Sequence, residues 1–264
     1  MKILFIGDIF GKPGRKIIRE NLPDLISEFK VDVCIANGEN VAGGKGITKR
    51  TANQLFKAGV NVFTSGNHLW DKRESIDFIA EEKRIIKPLN YPKKAIGAEY
   101  YVVDTINNSK LVILNLIGQV FMNPVDSPFH TLKKYLPRLK TISKNIIVDF
   151  HAEATAEKRA LGYFADGDVS AIVGTHTHVQ TADEEILPKG CAYITDVGMT
   201  GPHDSVIGTR EEIILEKITT GMPKRFKIAK RGLQVNAVLI TIDETLGKAT
   251  EIVRIKRRYN AERT

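Results

Sequence analysis

The sequence predicts an α/β fold in which parallel strands alternate with helices. Two observations along the chain support this prediction. The first third of the 264 residues repeats a short apolar run followed by a helical pattern three times, and each of these apolar runs ends in polar residues. No long linker, internal repeat or low-complexity tract interrupts the chain. We therefore expect right-handed crossovers between parallel strands, within a single domain over residues 1–264.

The first third is predicted to hold three strands and three helices. The strands are placed at residues 2–6, 31–36 and 60–64. The helices are placed at about residues 15–29, 48–58 and 72–82. Pro13 and Gly14 indicate a turn before the first helix, and Pro23 is expected to interrupt that helix. Thr48 is the predicted N-cap of the second helix, and Gly59 is its predicted end.

The remainder of the chain is predicted to contain two hairpins and further alternation of strands and helices. One hairpin joins residues 100–105 and 110–116 through Asn107-Asn108, and the other joins 237–243 and 249–256 through Leu246-Gly247. Residues 124–143 are expected to form a loop and a helix. Further strands are placed at residues 145–150, 169–173 and 191–195, and further helices at about 155–165 and 209–219.

The composition is typical of a globular protein without a membrane segment. Hydrophobic residues make up 42% of the chain and charged residues 27%, and no apolar run reaches the length of a membrane span. The N-terminal apolar run is too short for a signal peptide and leads directly into Asp8, so we expect a cytoplasmic protein with no membrane partner. Cys34 and Cys191 lie in strand-like runs and are expected to be buried thiols.

The formal net charge of +8 comes largely from late basic segments. These are residues 224–227, 230–231 and 254–258. We interpret them as solvated basic surface. The alternative is a surface that attracts a phosphate-bearing partner.

The segment Gly174-Thr175-His176-Thr177-His178 follows the predicted strand at 169–173. In an extended chain, alternation would direct the side chains of His176 and His178 to the same face. Four of the six histidines in the chain stand just after apolar runs of this kind. Open α/β sheets bind their ligands beyond the carboxyl ends of strands, so this segment is a candidate metal site.

Polar residues that can bind metals follow five predicted strands. They are Asp8, Glu39, Asn40, Asn67, His68, His151, His176 and His178. Taken singly, each of these residues could equally cap a turn or satisfy a local hydrogen bond. Together, their mixed oxygen and nitrogen donors suit a divalent first-row metal, and their number suffices for two ions that share a carboxylate. Two dications against two carboxylates would leave a positive pocket that attracts phosphate.

The order of these residues resembles the calcineurin-like metallophosphoesterases. The matching segments are Gly7-Asp8-Ile9-Phe10, Asn37-Gly38-Glu39-Asn40, Gly66-Asn67-His68, His151 and the segment 174–178. Two positions depart from the common pattern: Phe10 replaces the first metal-binding histidine, and Glu39 replaces the bridging aspartate. These departures resemble the YmdB-like bacterial branch, and the similarity covers nearly the whole chain. The resemblance implies a four-layer α-β-β-α sandwich and a phosphodiesterase acting on small phosphodiesters, with 2′,3′-cyclic nucleotides as the expected substrate.

The resemblance also implies a role for each residue. One metal would take Asp8, Glu39, Asn40 and His178, and the other would take Glu39, Asn67, His151 and His176. A hydroxide that bridges the two ions would attack phosphorus in line, and His68 would protonate the leaving group or stabilise the transition state. The expected cofactors are two divalent or mixed-valence metal ions, Fe or Mn or both, with Mg and Zn as alternatives.

Other readings of the same residues remain open. The chain could be a metal-dependent nuclease or phosphomonoesterase, with RNA as the alternative partner, or a regulatory protein that acts through a partner. A homo-oligomer is also left open. Residues 43–46 are rich in glycine and are expected to form a loop at the rim of the site, and Trp70 and Asp71 are expected to pack and cap the start of a helix.

Overall fold

The computed structural model describes residues 1–105 and 109–259. Over these residues the chain has a mixed α/β fold with two six-stranded sheets and six α-helices. In the described ranges, no helix combines the length and the hydropathy that crossing a lipid bilayer requires.

The first sheet combines the three N-terminal strands with the C-terminal hairpin. Its strands are β1 (Lys2–Ile6), β2 (Val33–Asn37), β3 (Val62–Thr64), β10 (Gly201–Pro202), β11 (Leu233–Asp243) and β12 (Lys248–Arg258). They run in the order β10-β11-β1-β2-β3, and β12 pairs with β11. β1, β2 and β3 are parallel, whereas β11 lies antiparallel to β1 and to β12. The C-terminal hairpin therefore pairs directly with the first strand of the chain.

The second sheet contains the middle of the chain. Its strands are β4 (Tyr100–Asp104), β5 (Lys110–Ile117), β6 (Asn145–His151), β7 (Ala171–Thr175), β8 (Glu185–Ile186) and β9 (Ala192–Ile194). Their order is β4-β5-β6-β7-β9-β8, and the four strands from β5 to β9 along this order are parallel. β4 and β5 form the predicted antiparallel hairpin, whose predicted turn at Asn107-Asn108 lies outside the described residues.

Five of the six α-helices in the described ranges pack through buried apolar side chains, whereas the last one has no buried residue. The six helices are α1 (Gly11–Phe29), α2 (Lys49–Phe56), α3 (Ile76–Glu81), α4 (Pro128–Ile142), α5 (Thr155–Ala165) and α6 (Glu211–Thr220). One cluster of buried residues joins β1 to α1 and α2, and a second joins β5 and β6 to α4 and α5. A third cluster combines side chains of both sheets, among them Phe5 of β1 and Ile113 of β5. Strand alternation explains this division, because Leu4 and Ile6 face α1 while Phe5 faces the other sheet.

The predicted turn at Pro13 and Gly14 and the predicted interruption of the first helix at Pro23 were both wrong. α1 begins at Gly11 and continues through Pro13, Gly14 and Pro23. Pro13 lies in the first turn, where a missing backbone N–H leaves no intrahelical bond unmade. At Pro23 one bond is lost, yet burial of Leu22 and its neighbours against the sheet holds the helix together.

Several element boundaries also differ from the prediction. The helix expected at 72–82 is a 3₁₀ turn at Arg73–Ser75 followed by the short α3. The strand expected at 169–173 is shifted by two residues to Ala171–Thr175, and the two-residue strands β8 and β10 were not predicted. The prediction of an N-cap at Thr48 is confirmed, because its hydroxyl accepts from the backbone N–H of Thr51 in a reciprocal capping box. Cys34 and Cys191 are buried free thiols, as expected.

We expect the Thr48→Ala variant to be less stable than the wild type by about 1 kcal/mol, because the first turn of α2 loses its capping acceptor. Urea unfolding followed by circular dichroism measures this change. The Thr48→Ser variant is the control, since its hydroxyl can accept the same bond and should retain most of the stability. Equal free energies of unfolding for the alanine variant and the wild type would contradict the capping role.

Candidate metal centre

The structure brings all eight predicted site residues together at the carboxyl ends of strands from both sheets. Asp8 follows β1, Glu39 and Asn40 follow β2, and Asn67 and His68 follow β3. On the second sheet, His151 is the last residue of β6, and His176 and His178 follow β7. Because the two sheets face each other, five strand ends meet in one place.

One half of the cluster centres on His151. Its Nε2 lies 3.2 Å from Glu39 Oε1, 3.1 Å from Asn67 Oδ1 and 3.0 Å from Nδ1 of His176. Glu39, His151 and His176 each offer a ligand atom, and these atoms lie within 4.8 Å of one another. This spacing suits a shared metal ion, because imidazole and carboxylate donors bind metals at about 2 Å.

The other half of the cluster lies around Asp8, Asn40 and His178. Nε2 of His178 is 3.3 Å from Nδ2 of Asn40 and 3.9 Å from Oδ1 of Asp8. Glu39 connects the halves, because its Oε1 also lies 3.2 Å from Nδ2 of Asn40. The ring of Phe10 packs edge-on against His178, with 5.5 Å between the ring centroids. Asn40 is therefore adjacent to His178, and an aromatic ring closes this side of the cluster.

Strand alternation was predicted to direct the side chains of His176 and His178, and this prediction was wrong. β7 ends at Thr175, and His176 and His178 have φ angles of 102° and 66°. Strand alternation therefore does not direct their side chains. These left-handed backbone conformations are costly for residues with a Cβ and persist only where surrounding contacts hold them.

A buried ion pair holds this loop. Lys158 of α5 and Asp196, which follows β9, lie 2.7 Å apart and are almost completely inaccessible to solvent. Asp196 accepts from the backbone N–H of Thr177 at 3.0 Å and from its hydroxyl at 2.7 Å. Lys158 donates to the carbonyl oxygen of Thr175 at 2.7 Å. The pair therefore fixes the backbone on both sides of His176.

Each of the three histidines has one ring nitrogen directed into the cluster and the other held from outside. Nδ1 of His151 lies 2.9 Å from the Thr175 hydroxyl, which donates to Asp149 at 2.7 Å. Nε2 of His176 lies 3.1 Å from Glu153, and Nδ1 of His178 lies 3.1 Å from the carbonyl oxygen of Ile207. Metal-binding histidines in proteins are oriented in this way by acceptors outside the site.

The pKa values reflect burial and mutual charge. Burial raises the pKa of Asp8 above its usual range, against the charges of His178 and His151. Burial would also raise the pKa of Glu39, but the charge of His151 and its hydrogen bond outweigh burial and lower this pKa to about 2. Burial would lower the pKa of His151, but the two carboxylates raise it to about 9. Burial and the charge of His151 lower the pKa of His176 to about 3. The raised pKa of His151 favours its protonated form, so a metal ion bound by this imidazole would have to displace that proton.

Two further observations show that the residues present fit a metal. Oδ1 of Asp8 is buried and accepts no hydrogen bond from any residue in the described ranges. A Cβ at Gly66 would lie 2.3 Å from Nε2 of His151 and 2.4 Å from Oε2 of Glu39, so only glycine leaves this space open. An orphaned carboxylate oxygen and a space lined by ligand atoms are what a bound cation would satisfy.

His68 differs from the other site histidines. Its backbone N–H donates to Oε2 of Glu39 at 3.1 Å, while its ring lies at the surface of the site. Nδ1 of the ring is 2.9 Å from Oδ2 of Asp71. The expectation that Asp71 caps a helix was wrong, because the turn that follows has its N-cap at Lys72 and no side-chain cap. The other ring nitrogen of His68 is not engaged by the contact with Asp71 and can face a ligand.

The cluster opens into a cavity of about 480 Å³, within the range of small-molecule sites. Its lining includes four metal-competent residues, Glu39, Asn40, His176 and His178, together with His68. It also includes an apolar part made of Phe10, Ile207, Phe226 and Ile228. Lys45 of the glycine-rich loop and Lys227 add two positive charges. The loop at 43–46 thus lies at the rim as expected.

The sequence did not predict the roles of Glu153 and Asp71 beside the site histidines, or of Phe226 and Lys227 in the cavity lining. No local pattern distinguishes Glu153 or Asp71 from other acidic residues, because their roles depend on histidines brought close by folding. Phe226 and Lys227 belong to the basic segment that was interpreted as solvated surface, and an aromatic residue between cations was the available signal.

Comparisons with known proteins match nearly the whole chain. The model of the YmdB-like protein family matches residues 4–255. A 2′,3′-cyclic-nucleotide 2′-phosphodiesterase of Bacillus subtilis is 45% identical over 255 residues, which cover 97% of this chain and 96% of the relative. The crystal structure of a novel phosphatase from Mycoplasma pneumoniae is similar with a TM-score of 0.94 at 38% identity, covering 100% of this chain and 95% of that one. The crystal structure of a hypothetical protein from Thermus thermophilus gives a TM-score of 0.92 at 38% identity, covering 98% of this chain and 99% of that one.

We expect the Asp196→Asn variant to lose about 3–5 kcal/mol of stability, because Lys158 is left buried without its counter-ion. Urea unfolding measures the loss. The matched control is Asp168→Asn, which removes the partner of Lys140 from an exposed ion pair and should cost less than about 1 kcal/mol. Similar losses in the two variants would show that the buried pair does not hold the loop.

Proposed function

The chain belongs to the YmdB-like family, and from this premise we propose that it hydrolyses 2′,3′-cyclic nucleotides at the 2′-ester bond with the help of two bound metal ions. It is a phosphodiesterase, a hydrolase of phosphoric diester bonds. The observation that carries the proposal is the buried cluster in which three imidazoles and two carboxylates direct donor atoms at one another from four strand ends.

The proposed ligands divide into two sets that share Glu39. Asp8, Asn40 and His178 complete the first set, because Asn40 and Asp8 both lie beside the inward-facing nitrogen of His178. Asn67, His151 and His176 complete the second set, supported by the short distances around Nε2 of His151. Where Phe10 cannot bind metal, Asn40 would supply its amide oxygen after its side-chain amide turns over, because Nδ2 faces Glu39 and His178 in the structure. More oxygen donors favour the harder ions Mn and Fe over Zn.

Two divalent cations, when bound, supply Lewis acidity towards the phosphoryl oxygens and water activation near neutral pH. The protein residues around the site do the remaining work. His68 stands beside the ligand Asn67 without being one, and Asp71 holds its Nδ1. Its Nε2 is assigned to donate a proton to the leaving 2′-oxygen, and the Asp71 carboxylate stabilises the protonated ring before the transfer. His68 thus acts as the general acid.

The cavity supplies binding for the rest of a nucleotide. Lys45 and Lys227 attract the phosphate, and Phe226, in the apolar part of the lining, offers an aromatic ring for a base. The side chain of Phe226 is exposed and contacts Lys217, whose ammonium lies 4.6 Å from the ring centroid. The apolar wall therefore favours a nucleotide over inorganic phosphate.

The proposal includes the layer order of the fold, the number of domains and the location of the protein. The three hydrophobic clusters support a layer order of helices, sheet, sheet and helices, with one domain over the chain. A cytoplasmic location is consistent with a small nucleotide as substrate. A homo-oligomer, which the sequence left open, is a question for measurement of the oligomeric state in solution.

We expect metal content and turnover to fall together in ligand variants. Glu39→Ala removes the shared carboxylate and should leave fewer than one metal per chain, while Asn40→Ala should retain about one of the two in the wild type. Elemental analysis and turnover of 2′,3′-cyclic AMP with Mn test this, before and after full chelation. Asn53→Ala on the exposed face of α2 is the control. Full metal content in Glu39→Ala, or undiminished turnover after chelation, would refute the proposed function.

We expect the His68→Ala variant to keep its metals and to lose about a hundredfold or more in kcat, because general acid catalysis is removed. Elemental analysis and steady-state kinetics measure the two effects separately. His130→Ala, at an exposed histidine of α4, serves as the control with wild-type kinetics. A folded His68→Ala protein without metal would identify His68 as a ligand instead.

A further inference from the structure

We propose that the substrates of this site include RNA fragments that end in a 2′,3′-cyclic phosphate, with the preceding nucleotide bound in a second cavity. This inference rests on the proposed function and names a larger substrate class for the same site. The terminal cyclic phosphate of an RNA chain has the same five-membered ring as the mononucleotide, so the same bond can be broken in both.

The second cavity adjoins the catalytic cavity. It has a volume of about 440 Å³, and Lys227 and Ile228 line both cavities. The remaining positive side chains of the second cavity are Arg210, Lys230 and Arg231. A chain that leaves the catalytic cavity past Lys227 therefore enters a space large enough for one more nucleotide.

The second cavity carries positive charge that the protein itself does not neutralise. Two of its carboxylates are paired, since Glu212 lies 3.1 Å from Arg210 and Asp204 lies 2.6 Å from Arg258. Lys227, Lys230 and Arg231 are exposed and form no ion pair with any residue between 1–105 or 109–259. Clustered cations next to a nucleotide site attract a further phosphate.

Glu211 is the carboxylate of the second cavity that belongs to neither of these two ion pairs. Glu211 is exposed and offers carboxylate oxygens, which accept but do not donate hydrogen bonds at neutral pH. It would repel a phosphate placed directly against it, but it can accept from a ribose 2′-hydroxyl. Since the 2′-hydroxyl distinguishes RNA from DNA, this acceptor favours an RNA fragment.

A mononucleotide fills only the catalytic cavity. Its cyclic phosphate reaches the metal-competent wall and its base reaches Phe226, so the cations of the second cavity remain without a partner. A dinucleotide adds one phosphodiester and one ribose beyond Lys227. In the reaction, water oxygen bonds to phosphorus, the bond from phosphorus to the 2′-oxygen breaks, and that oxygen takes up a proton. The fragment then ends in a 3′-phosphate, and its internal phosphodiester is unchanged.

The test compares 2′,3′-cyclic AMP with the dinucleotide ApA that ends in a 2′,3′-cyclic phosphate, both with Mn. We expect kcat/KM for the dinucleotide to exceed that for the mononucleotide by about tenfold, since charge-assisted hydrogen bonds are the stronger ones. We also expect a steeper fall with salt for the dinucleotide, by about 0.7 in the double-logarithmic slope for each phosphate neutralised.

Paired variants locate the effect. Lys230→Ala/Arg231→Ala should reduce the dinucleotide advantage by about tenfold and leave mononucleotide turnover at the wild-type rate. Lys133→Ala/Lys134→Ala removes two exposed lysines of α4 that line neither of these two cavities, and it should change the turnover of neither substrate. A second readout is the dissociation constant of a 5′-fluorescein-labelled ApA 3′-phosphate, measured by anisotropy for the same proteins.

The outcomes separate the inference from the proposed function. Fast mononucleotide turnover without a dinucleotide advantage would overturn the inference and leave the proposed function intact. An advantage that survives in Lys230→Ala/Arg231→Ala would overturn the second cavity as its source. If neither substrate were hydrolysed, the proposed function would be wrong, and an unchanged dissociation constant in the variant would overturn the inference independently.

Discussion

The buried pair of Lys158 and Asp196 is the interaction on which the site geometry depends. A single carboxylate receives the ammonium of Lys158, the backbone and hydroxyl of Thr177, and the backbone N–H of Gly198. Buried charges persist in proteins only when they are paired and hydrogen-bonded, and this one meets both conditions. With its four donors in place, the loop after β7 can hold two histidines in left-handed conformations that the backbone alone disfavours.

The carboxylates of the site are buried although they carry charge. Asp8 and Glu39 are almost completely buried, and their charges are balanced by imidazoles rather than by lysine or arginine. Imidazole can lose its proton and become a ligand, which ammonium and guanidinium groups do not readily do. The outer acceptors Thr175 and Glu153 then determine which ring nitrogen of the adjacent histidine remains for a metal.

The departures from the common phosphoesterase pattern fit together in three dimensions. Phe10 packs on His178, and a Cβ at Gly208, where φ is +96°, would lie 2.6 Å from the Phe10 ring. The aromatic ring thus fills a close-packed space at the edge of the cluster, while Asn40 approaches His178 from the end of β2. An apolar residue at position 10 also continues into the apolar wall of the cavity, so one substitution changes both the donor set and the surface that faces a ligand.

The sequence by itself determined the α/β class, the strand ends and the identities of the residues that meet there. This succeeded because apolar runs and their polar endings are local features, and parallel strands bring such endings to one edge. Only the tertiary structure decided how those residues are oriented. The φ angles of His176 and His178 follow from Lys158 and Asp196, which lie on a separate helix and at another strand end. Likewise, Glu153, Asp71 and Phe226 acquired their roles through contacts made by folding, and such contacts leave no periodic signal in the sequence.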